Sequence, residues 1–279
     1  MKEVLMKEFV ERRLNNYLEE LRMDELSPAT INKYKTDINQ WIVEMPGMIK
    51  KEHILNYKSI MENDYKPSTV NSKLIAINRY LKWLGYNQMT VKTKKIQQQQ
   101  QLDNVINRSC YCNMLGYALE HNKTKMYYLM KTFAQTGIRV SELKYVTWEA
   151  INAGYTIVYN KNKYRTVYFN SRLCSELKDY CETIGCTSGI IFVGNTPGVA
   201  IKPGTVWKNL KYIARQINIP EKIVYPHSFR HMFAKEYMVV IGDISELADL
   251  LGHSRLETTW IYTKTTSEEK RKRLELLEL

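Results

Sequence analysis

The sequence predicts two domains, an all-α N-terminal domain and a mixed, mainly α C-terminal domain with a small antiparallel sheet. Three observations lead there. A chain of 279 residues fits two domains better than one, and 44% hydrophobic side chains, with 11% aromatic, can fill two cores. Apolar residues recur at helical spacing through the first third and stop at a polar stretch containing five glutamines, Gln97 to Gln101. Beyond it, one pair of β-rich runs interrupts an otherwise helical pattern. The boundaries drawn on this basis are a helical domain over 1–90, a linker over 91–103 and a second domain over 104–279.

In chain order, Leu5, Phe9, Leu14, Tyr17, Leu18 and Leu21 form the inward stripe of a first helix. Ser27-Pro28 is an N-cap followed by proline at the first helical position, opening a second helix with Ile31, Tyr34, Ile38 and Trp41 on one face. A third is expected over Lys50 to Glu62. The fourth runs from about Pro67 to Leu84, with Leu74, Ile77, Tyr80, Leu81 and Leu84 inward and Gly85 as its stop. In the second domain, Tyr155–Tyr159 and Thr166–Phe169 read as the strands of a hairpin. The polar run Asn160-Lys161-Asn162-Lys163-Tyr164-Arg165 is the turn between them. Ile190–Val193 is a candidate short strand, and Pro203–Ile217 a helix with Val206, Leu210, Ile213 and Ala214 inward. Asp243-Ile244-Ser245-Glu246 and Ser254-Arg255-Leu256-Glu257 each carry a short polar N-cap with Glu three residues later, so both should start helices.

Lys and Arg number 41 against 29 Asp and Glu, a formal charge of +12, which suits a polyanionic partner without identifying it. No apolar run reaches the roughly 18 residues of a membrane span, and Met1-Lys2-Glu3 opens into a charged helical pattern rather than a signal peptide. A cytoplasmic protein with no membrane partner is therefore expected. The five cysteines, Cys110, Cys112, Cys174, Cys181 and Cys186, are odd in number and do not form a disulfide framework. Cys110-x-Cys112 lacks the second pair that zinc would need, so neither metal nor cofactor is expected.

The chemistry is concentrated in four short runs. They are Thr136-Gly137-Ile138-Arg139-Val140-Ser141-Glu142-Leu143, Pro226-His227-Ser228-Phe229-Arg230-His231, Leu251-Gly252-His253-Ser254 and Trp260-Ile261-Tyr262-Thr263. His227 and Arg230 are three apart and share a helix face, and Tyr262 follows His253 by nine residues. Two arginines, two histidines and a tyrosine are the groups to gather around a phosphodiester that a phenol attacks. Arginines clamp non-bridging oxygens, and histidines move protons or donate hydrogen bonds. The competing metallic reading takes His227 and His231, at i and i+4, with His253. It lacks the glutamate a zinc-hydrolase helix carries between its histidines and puts Arg230 beside a divalent cation. His231 is therefore assigned to packing or to the helix surface.

From about Lys125 to Thr263 these motifs, in this order, resemble the tyrosine recombinases or phage-type integrases. The nearest likeness is to short bacterial and mobile-element members such as the chromosome-dimer resolvases; before Lys125 the likeness is only architectural. The resemblance implies a SAM-like helical DNA-binding domain ahead of the catalytic one. It also implies site-specific recombination of DNA through a 3′-phosphotyrosyl intermediate and a four-way junction, in integration, excision or resolution. Tyr262 would be the nucleophile, Arg139 and Arg230 the clamp on the non-bridging oxygens, and His253 a hydrogen-bond donor to one of them. His227 is the expected acceptor or relay of the phenol proton, with His253 the alternative base. The family's general-acid lysine lies on the hairpin within a K-x-x-K-x-R-like stretch. This chain is one residue shorter there, so Lys161 is the better match and Lys163 the contender.

The same resemblance makes Lys33, Lys35, Lys66, Lys73 and Arg79 of the helical domain, Lys92, Lys94 and Lys95 of the linker, and Lys163 candidates for phosphate contacts. Partners would be double-stranded DNA with inverted-repeat core sites, three further copies of the chain in a homotetramer, and accessory DNA-bending proteins. A terminal helix from about 267, with Leu274 and Leu277 on an apolar strip, would dock on a neighbouring subunit. Two other functions share the fold: a monomeric topoisomerase-like relaxing enzyme and a non-catalytic DNA-binding relative.

Overall fold

The computed structural model describes residues 4–95, 105–160, 163–253, 256–262 and 275. The chain divides into two compact units, Met1–Gln98 and Gln99–Leu279. It is mainly helical with two small antiparallel sheets.

In the first unit, helices α1 (Lys7–Met23), α2 (Pro28–Glu44), α3 (Lys51–Asp64) and α4 (Pro67–Trp83) enclose one core. Strands β1 (Leu5–Met6) and β2 (Met48–Ile49) close one end, with Leu5 opposite Ile49. Two residues per strand are too few for an alternation to show in the sequence. They shift the start of α1, so that Val10 is buried and Phe9 is exposed, correcting the expected inward stripe by one position. The Ser27 hydroxyl accepts from Thr30 N at 3.2 Å and Pro28 opens α2, as the sequence predicts. Trp41, Tyr17 and Tyr80 are the large buried side chains, and Tyr80 Oη donates to Val10 O at 2.5 Å, which satisfies the hydroxyl inside an apolar core. The extended segment Val91–Lys95 is strapped to this unit. Asn78 exchanges two hydrogen bonds with Val91, Asn71 two with Lys94, and Lys58 Nζ donates to Lys92 O.

The second unit is built on α5 (Arg108–Glu120), α6 (Thr124–Thr136), α7 (Trp148–Ala153), α8 (Ser171–Ile184), α9 (Pro203–Gln216), α10 (Pro226–Val240), α11 (Ile244–Leu251) and α12 (Leu256–Thr259). Short polar side chains start four of them: Asn107, Thr147, Asn170 and Asp243 each accept from backbone N–H groups of the first turn. Asp243 caps α11 at Ser245 and Glu246; the second proposed cap, Ser254, lies outside the described residues. At the centre α6 packs on α10, with Phe133 and Phe229 ring centroids 6.2 Å apart. Strands β3 (Tyr155–Asn160) and β4 (Lys163–Tyr168) pair from Tyr155↔Tyr168 to Asn160↔Lys163. The expected turn over 160–165 is thus corrected: Asn160, Lys163, Tyr164 and Arg165 belong to the paired strands, and the two residues between them lie outside the described residues. The Tyr164 and Tyr159 rings lie tilted with centroids 4.7 Å apart, and Arg165 faces Val158 across the ladder with its side chain turned inward. Ile190–Val193 makes only the isolated bridges Thr147↔Ile190 and Val193↔Ala200 instead of a strand.

Candidate active site

The four motif runs converge in the second unit because two helix ends and a hairpin meet there. Helix α6 ends at Gly137, whose φ of +61° is the left-handed region. A Cβ at Gly137 would lie 2.7 Å from Phe233 Cδ1. The turn brings Arg139 to the start of a 3-10 turn over Val140–Tyr145, where the Glu142 carboxylate accepts from Arg139 N at 2.9 Å and from its Nη1 at 3.0 Å. The oxygen that accepts from Arg139 N, Oε2, also takes Arg165 Nη2 at 2.6 Å. Helix α11 ends at Gly252, φ +62°, where a Cβ would sit 2.4 Å from Arg165 Cδ. Only glycine therefore lets the arginine stem pass. Sequence reading placed Arg165 in a solvent turn, and what it missed was the inward partner Glu142.

The last carbonyls of α11 are where three guanidiniums collect. Arg165 donates to Leu250 O at 2.7 Å, Arg139 Nη2 to Leu251 O at 3.3 Å, and Arg230 Nη2 to that same Leu251 oxygen. These carbonyls have no partner within the helix and form the negative end of its dipole. Arg230, on α10 and fully buried, also donates to Gly137 O at 2.6 Å, while its Nε has no hydrogen-bond partner among the described residues. Burial, followed by the Arg139 and Arg165 charges, lowers its pKa to about 9, which still leaves it charged at neutral pH. Burial pulls Glu142 upward, but Arg165 and Arg139 outweigh it and hold the carboxyl below its ordinary range. Three guanidiniums against one carboxylate leave two positive charges unneutralised here among the described residues. A cavity of about 540 Å³ opens beside them, with Arg139, Lys163, Tyr164, Arg165, Gly252 and His253 on its walls.

His253 follows Gly252 and is fixed at both nitrogens. Nε2 is 3.3 Å from Arg230 Nη2, and Nδ1 is 2.8 Å from Thr259 Oγ1. A guanidinium only donates, so Nε2 accepts and Nδ1 carries the proton to Thr259. Burial, then Arg230 and Arg139, lower its pKa to about 4 and keep it neutral. Thr259 is fully buried and sets this tautomer; sequence reading missed it, and its only signal is its place three residues before Tyr262.

Tyr262 lies in a 3-10 turn, Trp260–Tyr262, just past α12, and packs with Ala234, Leu247 and Leu251. Burial raises its phenol to about 12, against the lowering effect of Arg230 and Arg139. Its hydroxyl is 2.9 Å from Nδ1 of His231. This corrects two assignments: His231 is not a packing or surface residue, and His227 is not the histidine at the phenol. His227, second residue of α10, is exposed and its ring stands 4.6 Å from that of His231. Partial dehydration, then Arg230 and Arg139, lower its pKa too.

Lys161 and the terminal segment from about 267, Glu275 apart, lie outside the described residues, and Lys163 is exposed at the start of β4. Among the basic residues assigned to phosphate, Lys73 is corrected. It is buried against Gln40 and Asp37, at 3.5 Å from Asp37 Oδ1, and cannot reach a ligand outside. Lys33 pairs with Asp37, Arg79 with Asp24 at 3.0 Å, and Lys94 with Glu62 at 2.8 Å. Lys35, Lys66, Lys92 and Lys95 are exposed with no acidic partner within salt-bridge distance among the described residues. Among the described residues no three His, Cys, Asp or Glu side chains converge as metal ligands, and no helix is long and apolar enough to cross a membrane.

Residues 96–269 match the model of the phage integrase family. The chain is 25% identical over 268 residues to the tyrosine recombinase XerA of Pyrococcus furiosus, covering 94% of this chain and 92% of that protein. Its fold is similar to that of the XerH site-specific recombinase bound to a palindromic difH substrate in a post-cleavage complex. The TM-score is 0.72 at 18% identity, over 96% of this chain and 85% of that one. It is also similar to a lambda integrase tetramer bound to a Holliday junction, with a TM-score of 0.73 at 15% identity over 90% and 76% of the two chains.

Proposed function

The chain belongs to the phage integrase family, the tyrosine recombinases, and from that membership we propose how its site-specific recombination of DNA is carried out. One observation carries the mechanism. A buried phenol, Tyr262, stands beside a centre that, among the described residues, has two uncompensated positive charges and an Arg230 Nε–H without a partner. A phosphodiester carries one negative charge, and a second builds on its non-bridging oxygens as a nucleophile adds. The site's excess charge matches that transition state better than the ground state.

Tyr262 Oη forms a bond to phosphorus and the P–O5′ bond breaks, leaving a 3′-phosphotyrosyl enzyme and a free 5′-hydroxyl. The phosphodiester's energy is kept in the new ester, so no ATP is needed. Arg139 and Arg230 bind the non-bridging oxygens, each contributing about 3 kcal/mol in the transition state. Glu142 and the carbonyl of Leu251 hold them in place before DNA arrives. His253 donates to a non-bridging oxygen once it carries a proton on Nε2, which the incoming negative charge favours. A hairpin lysine, Lys161 or Lys163, protonates the departing 5′-oxygen. Attack by the 5′-hydroxyl of a second strand reverses the step, and two rounds pass through a four-way junction.

The first 90 residues act as the second DNA-binding domain, joined by 91–103 to the catalytic domain, with Lys35, Lys66, Lys92 and Lys95 free to meet phosphates. Four copies assemble on paired inverted-repeat sites, an arrangement supported by the likeness to the lambda integrase tetramer. Accessory DNA-bending proteins and a terminal helix docked on a neighbouring subunit complete the proposal. The test is a nicked suicide duplex carrying a core site: the protein should form a denaturant-resistant adduct, and Tyr262→Phe should bind the duplex and form none. An adduct from Tyr262→Phe at the unsubstituted yield would move the nucleophile elsewhere.

A further inference from the structure

The partner of the nucleophile is a side chain that this mechanism leaves without a task. Tyr262 Oη and His231 Nδ1 are 2.9 Å apart, within the reach required of a general base. His253 is excluded by its own bonds: Nε2 faces Arg230, Nδ1 faces Thr259, and its ring centroid is 6.3 Å from that of Tyr262. His227 lies one helical turn before His231 and open to solvent. From this geometry we propose that His231 takes the phenol proton as Tyr262 attacks phosphorus, and that His227 passes that proton to water. The proposal rests on Tyr262 being the nucleophile.

Atoms and charges balance through the step. As the Oη–P bond forms, the phenol proton moves to His231 Nδ1, whose lone pair is free because the neutral ring carries its hydrogen on Nε2. The P–O5′ bond breaks, and the 5′-oxygen takes its proton from the hairpin lysine. In religation the relay runs in reverse: a proton returns from water through His227 to His231, and the departing phenolate takes it there. Position on α10 matters: His231 directly follows Arg230, so base and phosphate clamp are fixed to one helical turn.

The groups facing His231 are His227 and Arg230 on its own helix, and Tyr262 from the turn packed against it. Burial, then His227 and Arg230, hold its pKa at about 4, so the ring is neutral and able to accept throughout the physiological range. Phosphate charge gathering at the clamp stabilises the imidazolium as it forms. Without the base, a phenol near pKa 12 must lose its proton to hydroxide.

The experiment is single-turnover cleavage of a nicked duplex with sulfur at the 5′-bridging position, which makes the leaving group independent of the lysine, followed from pH 5.5 to 9.5. The unsubstituted protein should show a level profile across neutral pH. His231→Asn and His231→Gln should bind the duplex normally, react about 100-fold slower at pH 7, and gain tenfold in rate per pH unit. His227→Ala should show a smaller loss. A level profile and unsubstituted rate in both His231 variants would overturn the proposal, as would the hydroxide-dependent profile appearing in His227→Ala alone. Absence of any adduct from the unsubstituted protein would instead remove the nucleophile assignment, and the base with it.

Discussion

In the N-terminal unit the buried Lys73 lies against Asp37 and Gln40, and the charge it brings inside meets one buried carboxylate. In the C-terminal unit Arg230 is buried, the Arg165 side chain nearly so and Arg139 partly so; Arg139 and Arg165 share a single carboxylate, Glu142, while Arg230 meets only carbonyls and His253 among the described residues. That unit also holds a buried cation, Lys131, neutralised by the half-buried Glu176. Burying a cation costs several kcal/mol in either place. Where the cost is offset inside the fold, the cation is part of the architecture. Where it is left standing, as at Arg230 Nε, the missing term is a ligand's negative charge.

The sharpest way to break this comparison is Arg230→Lys, which keeps the charge and removes the fork. Nη1 holds Gly137 O while Nη2 of the same plane holds both Leu251 O and His253 Nε2, a fork that a single ammonium cannot reproduce. Cleavage of the nicked duplex should fall 100- to 1,000-fold with duplex affinity nearly unchanged. Cleavage within tenfold of the unsubstituted rate would mean that the site needs charge and not geometry.

Much of this site is legible in the sequence, because Arg139, His227, Arg230, His253 and Tyr262 stand in short motifs with fixed spacing. What escapes is set by direction in space. His231 looks like a packing residue until α12 and the turn after it point Tyr262 back at α10. Arg165 looks like a solvated turn residue because Lys163 and Tyr164 beside it are exposed, and only Glu142, 23 residues earlier, draws it inward. Lys73 sits in a lysine-rich surface pattern, yet Asp37 and Gln40 on the neighbouring helix bury it. The four long N-terminal helices are plain from their spacing. The two-residue strands at Leu5 and Met48, and the one-position shift from Phe9 to Val10 that accompanies them, have no local signal.

The N-terminal half of the comparison is tested by stability. Lys73→Met should cost about 2 kcal/mol in denaturant unfolding, less than the 3–5 typical of a broken buried pair because Lys33 still reaches Asp37. The double variant Lys73→Met with Asp37→Leu should recover most of that loss, since both buried charges then leave together. Neither variant should change the rate of adduct formation at saturating DNA. A double variant no more stable than the single one would show that the pair contributes more than neutrality.

The smallest effect separates buried from exposed lysine in binding. Lys66 is exposed and has no acidic partner among the described residues, so its contact with a phosphate would release about one counterion. Lys66→Ala should therefore weaken duplex binding by less than 1 kcal/mol and flatten the plot of log Kd against log salt by about 0.9, equally for any DNA sequence. Lys73→Met should leave the slope unchanged, because a side chain already bound to Asp37 and Gln40 releases no counterion when DNA arrives. Equal flattening by the two variants would mean that Lys73 leaves its pocket on binding. The N-terminal unit would then hold its buried cation in reserve for DNA, as the C-terminal unit does.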